Sequence, residues 1–365
     1  MDKKLIDKLS RREQEGTKRS LSFFDGGIDF YSNDYLGLAQ QDVLTPVIKS
    51  QGSTGSRLIS GNSQEAQSCE EFLASFFKVE KALVFNSGYD ANLGFFGAIP
   101  QRGDTVIYDE HIHASVRDGI RLSFADSFSF EHNSLDDLER LLSRAKGTVY
   151  VAIESLYSMG GDCAPLKEMA KTCNDNNAYL VVDEAHACGV FGIEGRGLVD
   201  KLNLTENVFA RIVTFGKAYG FHGACVLGQT ELIEFLVNFS RSFIYTTALP
   251  SADYKQIKAN IEFAKNDDLR NLLQDNIHYF LSQLKKVKLT SDPISPIQMI
   301  QIGSVEKCSS IAKKLLNNGI NVKPIFSPTV KVGNESIRIC IHSFNTAEEL
   351  DKLCSHLNEQ LSANS

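Results

Sequence analysis

Tyr179-Leu180-Val181-Val182-Asp183 is an apolar run that ends in an acid, and Arg211-Ile212-Val213-Thr214-Phe215-Gly216-Lys217 is another that leads to a lysine in a loop of small residues. Continuous apolar runs separated by segments of helical periodicity are typical of the buried strands of a parallel sheet. Three more runs precede them, at 82–85, 105–108 and 149–153. The sequence therefore predicts an α/β fold with a mainly parallel sheet and helices on both of its faces.

The last third of the chain predicts a second, smaller α/β domain. Ala248-Leu249-Pro250 interrupts the pattern, and a long helical region follows at about 251–287. Strand-like segments near 293–300 and 337–341 then alternate with helices around 305–318 and 346–361. The predicted organisation is an N-terminal arm and small-domain segment at 1–45, a large domain at 46–250 and a smaller C-terminal domain at 251–365.

Composition and charge favour a soluble cytoplasmic enzyme. The 365 residues carry a net charge of −7, which argues against nucleic acid as the main ligand. An apolar stretch of about 18 residues, which a membrane span needs, is absent, and the charged N-terminal segment lacks the apolar centre of a secretory signal. The eight cysteines contain no Cys-x-x-Cys pair and are expected to be reduced thiols. No membrane or nucleic-acid partner is predicted.

The pairing of Asp183 with Lys217 suits pyridoxal 5'-phosphate (PLP). A lysine forms a Schiff base with this cofactor, and an acid keeps the pyridine nitrogen protonated. An ordinary lysine has a pKa of about 10.4 and is a poor nucleophile at neutral pH, so the pocket must lower that pKa. Either half alone has an ordinary explanation, as a surface lysine or as an acid at a strand end.

Other candidate residues follow the ends of the same predicted strands, where ligands of open α/β sheets bind. The strand ending at Phe85 leads into Asn86-Ser87-Gly88-Tyr89, a glycine turn that opens a helix and could bind a phosphate. His113 and Ser158 follow two further runs. The cluster Asp109-Glu110-His111-Ile112-His113 could suggest a metal, but no complementary ligand cluster accompanies it, and no metal is predicted.

Chemistry assigns each candidate a role. Lys217 would form the Schiff base and act as general base at the substrate α-carbon, and Asp183 would pair with the pyridine nitrogen. His113 would stack on the ring. The remaining cofactor contacts would come from His186 and Ser158 at the phenolic oxygen and from Gly88, Tyr89 and Thr214 at the phosphate. Arg338, within Ile337-Arg338-Ile339, lies either on a solvated strand face or in a buried carboxylate clamp.

Taken together, these motifs resemble the α-oxoamine synthases, a PLP fold-type I family, over about 28–345. The resemblance is carried by Tyr31-Ser32-Asn33-Asp34-Tyr35-Leu36-Gly37-Leu38, Gly52-Ser53-Thr54-Gly55-Ser56-Arg57-Leu58-Ile59-Ser60-Gly61, Asn86-Ser87-Gly88-Tyr89-Asp90-Ala91-Asn92, His113-Ala114-Ser115, Glu154-Ser155-Leu156-Tyr157-Ser158-Met159-Gly160-Gly161-Asp162, Val182-Asp183-Glu184-Ala185-His186 and Phe215-Gly216-Lys217. It implies the condensation of an amino acid with an acyl thioester and the release of carbon dioxide. The chain is most similar to the biotin-pathway members of the family, which use L-alanine and a pimeloyl thioester.

The resemblance also implies roles that the residues alone do not. Arg338 would bind the amino-acid carboxylate, Thr329 would line the acyl site, and Arg19 would contact the acyl substrate. Thr246 and Thr247 would reach the phosphate in the partner subunit's site, which implies a homodimer with shared active sites. Asn33 would lie at that shared boundary.

Departures from the family pattern leave the substrate open. They are Val330-Lys331-Val332-Gly333, Phe326, the short N-terminal arm and Ile339-Cys340-Ile341-His342-Ser343-Phe344-Asn345, all where substrate identity is decided. One alternative is another α-oxoamine synthase, such as a glycine C-acyltransferase of the 2-amino-3-ketobutyrate ligase type. Another is a non-catalytic regulatory homologue. The thioester carrier is either coenzyme A or an acyl carrier protein.

Overall fold

The computed structural model describes residues 2–19, 21, 26–41, 43, 52–285, 287, 289–327 and 329–362. Its α-helices are α1 (Lys3–Gln14), α2 (Gln64–Phe77), α3 (Gly88–Ala98), α4 (Ala114–Leu122), α5 (Leu135–Leu142), α6 (Leu166–Asp175), α7 (Leu198–Lys201), α8 (Thr230–Phe239), α9 (Arg241–Ile244), α10 (Ser251–Ala264), α11 (Asp267–Gln283), α12 (Val305–Asn317) and α13 (Ala347–Ser362). Its strands are β1 (Ile28–Asp29), β2 (Lys81–Phe85), β3 (Thr105–Asp109), β4 (Asp126–Phe130), β5 (Val149–Glu154), β6 (Tyr179–Asp183), β7 (Ala210–Thr214), β8 (Ala224–Gly228), β9 (Ile297–Gln301), β10 (Ile320–Asn321), β11 (Lys323–Ile325) and β12 (Ser336–Cys340).

A seven-stranded sheet forms the larger part of the molecule, in the order β2-β8-β7-β6-β5-β3-β4. Strands β4, β3, β5, β6 and β7 are parallel to one another. Strand β8 is antiparallel to both β7 and β2, so β2 runs in the same direction as the parallel group. The predicted mainly parallel sheet is confirmed. The carboxyl ends of six of its seven strands lie on the same side of the sheet.

Helices cover the sheet on both faces because the central strands point apolar side chains to both of them. In β6, Leu180 and Val182 belong to one hydrophobic cluster, together with Phe215. Val181, which points the other way, belongs to a second cluster that includes Phe95. A strand that is buried on both faces reads as a continuous apolar run, which is why the sequence identified it.

Two strands of this sheet were not predicted. Strand β4 reads Asp126-Ser127-Phe128-Ser129-Phe130 and lies at the edge of the sheet, with only Phe130 buried. Strand β8 lies between β2 and β7 and returns directly from the loop that carries Lys217. Its antiparallel pairing needs no crossover helix, so the helix–strand alternation gave no signal for it.

Two smaller sheets complete the fold. One is antiparallel, in the order β11-β12-β9, and the other pairs β1 with β10. The N-terminal segment therefore contributes a strand to the C-terminal part of the chain, which agrees with the predicted α/β arrangement there. The domain boundaries at 45 and 250 stay predictions. Among the described residues, no helix is long and apolar enough to cross a membrane.

A buried ion pair connects Glu184, the residue after β6, to Arg211 in β7. Glu184 and Arg211 have side chains that are 0% and 1% exposed, and Arg211 Nε donates to Glu184 Oε2 at 2.8 Å. Glu184 Oε1 accepts the backbone N–H groups of Leu198 and Val199 at 2.7 and 3.0 Å. Both charges are thus fully compensated, and removal of either one leaves the other buried without its partner.

We expect Arg211→Met to lower the free energy of unfolding by about 3–5 kcal/mol, because it leaves the Glu184 carboxylate buried and unpaired. Denaturation in urea measures the change. The matched control is Arg140→Met, which breaks the half-exposed pair with Asp137 and should cost less than about 1 kcal/mol. Equal, small losses in the two variants would contradict this account of the Glu184–Arg211 pair.

Candidate active site

The candidate active site lies at the carboxyl edge of the large sheet, where β5, β6 and β7 end side by side. Glu154 and Asp183 are the last residues of β5 and β6 and are paired across the two strands. Lys217 follows Thr214, the last residue of β7. The structure therefore brings the predicted lysine and the predicted acid to the same edge.

Lys217 is electrostatically suited to act as a nucleophile and a base. Burial lowers the pKa of its amine to about 8, against the opposing attraction of the Asp183 and Glu154 carboxylates. The positive charge of Arg338 acts in the same direction as burial. At neutral pH a larger fraction of this amine is unprotonated than for a lysine in water.

Asp183 is oriented by two hydrogen-bond donors. Its Oδ2 accepts from Asn92 Nδ2 at 2.8 Å, and its Oδ1 accepts from the backbone N–H of Ala185 at 2.9 Å. Asn92 also donates to Ser115 Oγ at 3.0 Å, and this hydroxyl lies 2.7 Å from His113 Nδ1. One chain of contacts therefore connects the acid to the histidine that was predicted to stack on the cofactor.

The predicted phosphate site combines a helix N-terminus with hydroxyl groups. Helix α3 begins at Gly88, and a Cβ added to this glycine would lie 3.7 Å from Thr214 Oγ1. The neighbouring Asn86 Nδ2 donates to Thr246 Oγ1 at 3.2 Å and to the Thr247 carbonyl at 2.9 Å. Free N–H groups and hydroxyls together are well matched to a phosphate.

Tyr89, the next residue of α3, is largely exposed, and its hydroxyl donates to Asp118. Thr246 and Thr247 lie beside Asn86 of their own chain, and their contact with a partner subunit's cofactor stays a prediction. Arg19 and Thr329 are exposed, and their contacts with an acyl substrate stay predictions as well.

His186 contacts the N-terminal segment through a residue that the sequence did not single out. Tyr35 is fully buried, and its hydroxyl lies 2.7 Å from His186 Nδ1 and donates to Asn33 Oδ1 at 3.2 Å. Burial and the nearby Lys217 charge keep the pKa of His186 well below its usual value, so its ring is neutral. A neutral ring is suited to a hydrogen bond with a phenolic oxygen.

Arg338 lies in a buried clamp and not on a solvated strand face. It is 7% exposed, and its Nε donates to the Ser158 carbonyl at 2.9 Å. Its Nη2 donates to Asn33 Oδ1 and its Nη1 contacts Cys340 Sγ, both at 3.0 Å. These contacts use three of the five N–H groups of a guanidinium. Among the residues that the structure describes, Arg338 forms no ion pair with a carboxylate.

A buried cation is costly unless an anion compensates it, so Arg338 is suited to bind the carboxylate of a ligand. The planar guanidinium of Arg338 is well matched to the two oxygens of such a group. Arg338 donates to the carbonyl of Ser158, which follows β5, so a ligand carboxylate at Arg338 would lie at the same strand ends as Lys217. An α-amino acid has this arrangement of groups.

Glu154 is a site residue that the sequence analysis did not propose. Its Oε2 accepts the backbone N–H of Ser158 at 3.2 Å, while Oε1 is buried without a partner among the described residues. Burial and the neighbouring Asp183 charge raise its pKa to about 8. The available signal was its position, because it is the acid that ends an apolar run, as Asp183 is.

His132 is held by two carboxylates next to the loop that contains Ser158. Its Nδ1 lies 2.9 Å from Asp109 Oδ1 and its Nε2 lies 2.7 Å from Asp162 Oδ2. Burial alone would lower its pKa, but these two hydrogen bonds outweigh it and raise the pKa of His132 to about 9. Asp109, His111 and His132 lie close enough to share one cation, yet both ring nitrogens of His132 already donate to carboxylates. The absence of a metal stays a prediction.

The residues at this edge fit PLP. Lys217 supplies the amine, Asp183 supplies an oriented acid for the pyridine nitrogen, and the start of α3 beside Thr214 supplies a phosphate site. Ser158 and His186 lie on the loops that follow β5 and β6, where they can reach the ring substituents. The predicted roles of these residues on the cofactor stay predictions.

Comparison with known proteins places the chain among PLP enzymes. The family model described as aminotransferase class I and II matches residues 25–357. The 8-amino-7-oxononanoate synthase of Emericella nidulans is 37% identical, over 96% of this chain and 93% of the relative. The protein of the same name from Photobacterium profundum is 33% identical, over 96% and 91%.

Solved structures of similar proteins agree with this. A serine palmitoyltransferase variant from S. paucimobilis, with a bound PLP–myriocin aldimine, has a TM-score of 0.90 and 26% identity over 99% of this chain and 97% of its own. The 8-amino-7-oxononanoate synthase of Francisella tularensis has a TM-score of 0.79 and 30% identity over 93% and 99%.

We expect Asp183→Asn to lower turnover by about 10²-fold or more, because a neutral amide no longer favours the protonated pyridine nitrogen and the ring becomes a weaker electron sink. Steady-state kinetics of the PLP-loaded protein measure the loss. The matched control is Asp126→Asn, at an exposed position of β4, which should leave turnover unchanged. Near-normal turnover of Asp183→Asn would remove the assigned role of this acid.

His132 should make stability depend on pH in a defined direction. Its folded pKa, about 9, is above its unfolded value, so its contribution is fully present below about pH 6.5 and is lost as pH rises through about 9. We expect the difference in unfolding free energy between wild type and His132→Gln to be about 2–3 kcal/mol larger at pH 6 than at pH 9.5. The control is His278→Gln, at an exposed site on α11, which should change the free energy of unfolding by less than about 0.5 kcal/mol. A pH-independent effect of His132→Gln would contradict the stabilisation of protonated His132 by Asp109 and Asp162.

Proposed function

The chain belongs to the aminotransferase class I and II family, and we propose that it condenses L-alanine with a pimeloyl thioester, releasing carbon dioxide, to form 8-amino-7-oxononanoate in biotin biosynthesis. It is an enzyme of the PLP-dependent acyltransferase type, and its cofactor is PLP. The proposal is supported by relatives of that name, which match 96% of the chain at 33–37% identity.

The observation that carries the proposal is the buried guanidinium of Arg338, bonded to the loop after β5, at the same strand ends as the partly buried Lys217. An α-amino acid presents a carboxylate to the first and an amine to the cofactor at the second. Carboxylate binding at Arg338 fixes the α-carbon relative to Lys217. Such positioning of the reacting atoms contributes much of an enzyme's rate enhancement.

When bound, PLP supplies an electron sink for a carbanion at the amino-acid α-carbon. Lys217 takes the proton from that carbon, and its pKa of about 8 is well suited to a base working near neutral pH. The Asp183 carboxylate would face the ring nitrogen and would favour its protonated state. After acyl transfer and loss of carbon dioxide, Lys217 returns a proton to the same carbon.

Homodimer formation with shared active sites is part of the proposal. Thr246 and Thr247 would bind the phosphate in the partner subunit's site. Tyr245 and Ile59 are 73% and 85% exposed, and exposed apolar side chains of this size favour an interface. Arg19 and Thr329 would contact the acyl substrate.

A cytoplasmic location is proposed as well. All eight cysteines are unpaired thiols, which is typical of a reducing compartment. The thioester carrier is coenzyme A or an acyl carrier protein, and the domain boundaries are proposed to lie at 45 and 250.

A second candidate uses serine in place of alanine, with a longer acyl chain. It is favoured by the serine palmitoyltransferase structures, which cover 99% of this chain with a TM-score of 0.90. A glycine C-acyltransferase is a third member of the same reaction class. All of these share the amino-acid site and differ in the side chain and acyl group that they accept.

Product analysis by mass spectrometry tests the proposal. PLP-loaded protein is mixed with alanine, glycine or serine and with pimeloyl or palmitoyl thioesters of coenzyme A and of a carrier protein. We expect 8-amino-7-oxononanoate from alanine and a pimeloyl thioester, with at least about tenfold lower yield from any other pair. Lys217→Ala is the control and should give no aminoketone. A dominant product from serine or glycine would overturn the alanine–pimeloyl assignment, and no product from any pair would overturn the enzymatic one.

A further inference from the structure

We propose that His342 is a positioning residue for the amino-acid carboxylate, which it influences through Ser32 and Asn33 without touching the substrate. The inference rests on the proposed function, because it assigns the carboxylate to Arg338. His342 follows β12, in the stretch 339–345 where the sequence departs from the family pattern. None of the roles assigned above uses this histidine.

His342 connects two segments that are far apart in the sequence. Its side chain is fully buried, and its Nε2 lies 3.1 Å from the Ser32 carbonyl and 3.3 Å from Ser32 Oγ. On the other side of the ring, Nδ1 lies 3.2 Å from Asn345 Oδ1, which also accepts the backbone N–H of His342 at 2.9 Å. The ring therefore fixes Ser32 against the 342–345 loop.

The loop that carries His342 is itself held rigidly. Asn276 Nδ2, on α11, donates to the carbonyls of His342 and Asn345 at 2.9 and 2.8 Å. Asn276 is 8% exposed, so these hydrogen bonds are shielded from water. Because the loop holds one side of the ring in place, the ring can restrict the position of Ser32 on its other side.

The 29–33 segment carries this constraint to the clamp. Asp29 Oδ1 accepts the N–H groups of Tyr31 and Ser32 at 2.7 and 2.9 Å, and Asn345 Nδ2 donates to the Asp29 carbonyl at 3.1 Å. Asn33 directly follows Ser32 in the chain. Its backbone position is therefore fixed by the contacts of Ser32, one of which is His342.

Asn33 in turn orients the guanidinium. Its Oδ1 accepts from Arg338 Nη2 at 3.0 Å and from the Tyr35 hydroxyl at 3.2 Å. A shift of Asn33 would turn the fork of Arg338 away from the two-oxygen geometry that a carboxylate needs. We therefore expect the loss of His342 to weaken binding of the carboxylate and not of the rest of the amino acid.

The shape of the histidine ring gives a sharp choice of variants. A glutamine amide can take the place of Nε2 and place an N–H group against the Ser32 carbonyl, whereas an asparagine amide reaches only the position of Nδ1. We expect His342→Gln to keep most of the wild-type affinity and His342→Asn to behave like His342→Ala. If His342→Ala does not fold, the Gln and Asn variants carry the same comparison.

The experiment compares the binding of L-alanine with that of L-alaninamide, which lacks the carboxylate, to PLP-loaded protein. Dissociation constants come from absorbance titrations and calorimetry, without turnover. We expect His342→Ala to weaken alanine binding about tenfold, or about 1.4 kcal/mol, and alaninamide binding less than about twofold. In an Arg338→Ala background the same change should add less than about twofold to either ligand.

The matched control is Asn358→Ala. Asn358 also bonds to the backbone of the C-terminal part, at the carbonyl of Gln283 and the N–H of Lys285, and has no contact with the 29–33 segment. It should leave both ligands unchanged even if it lowers thermal stability.

Three outcomes separate the inference from the function on which it rests. If Arg338→Ala weakens both ligands equally, the carboxylate clamp fails and the proposed function fails at this site. If Arg338→Ala is selective for alanine but His342→Ala affects neither ligand, or both equally, the positioning role alone is overturned. The same is true if His342→Asn binds alanine as well as His342→Gln does.

Discussion

A partly buried amine beside a buried carboxylate is the constraint on which the rest of this structure depends. Lys217 and Asp183 lie after β7 and at the end of β6, where neighbouring parallel strands end at one edge. Burial lowers the pKa of the amine to about 8, and the nearby carboxylate prevents a larger shift. The same carboxylate must be oriented, so Asn92 and the backbone of Ala185 hold both of its oxygens. Each of these buried polar groups is tolerable only because another group is positioned against it.

The second half of the site comes from the C-terminal sheet and the N-terminal segment. Strand β12 supplies Arg338, and the segment before α2 supplies Asn33 and Tyr35, which contact Arg338 and His186. The amino acid would therefore be held between two parts of the chain that are far apart in sequence. Pairing of β1 with β10 and the contacts of His342 keep those parts in register. Buried polar contacts of this kind transmit small displacements because close-packed interiors do not absorb them.

The sequence predicted the mainly parallel sheet because β3, β5, β6 and β7 are buried on both faces and read as apolar runs. It could not predict β4, an alternating edge strand, or β8, which needs no crossover helix. Lys217, Asp183 and His113 were proposed as site residues because residues capable of this chemistry followed predicted strand ends. Tyr35 and Asn92 were not assigned roles, because their importance comes from contacts with residues about 23 to 151 positions away. Glu154 was overlooked although it is, like Asp183, the acid that ends an apolar run. The sequence also left undecided whether Arg338 is exposed or buried. Its partners Ser158 and Asn33 are distant in sequence, and local sequence cannot distinguish a solvated strand face from a buried clamp.

The most direct test of this account is to identify which lysine holds the cofactor. PLP-loaded protein is reduced with sodium borohydride, which converts a Schiff base to a stable amine, and its peptides are analysed by mass spectrometry. The account predicts a pyridoxyl group on Lys217 at near-stoichiometric level and background labelling at other lysines. A stoichiometric label on another lysine, with Lys217 unmodified, would contradict the assignment of this strand edge as the active site.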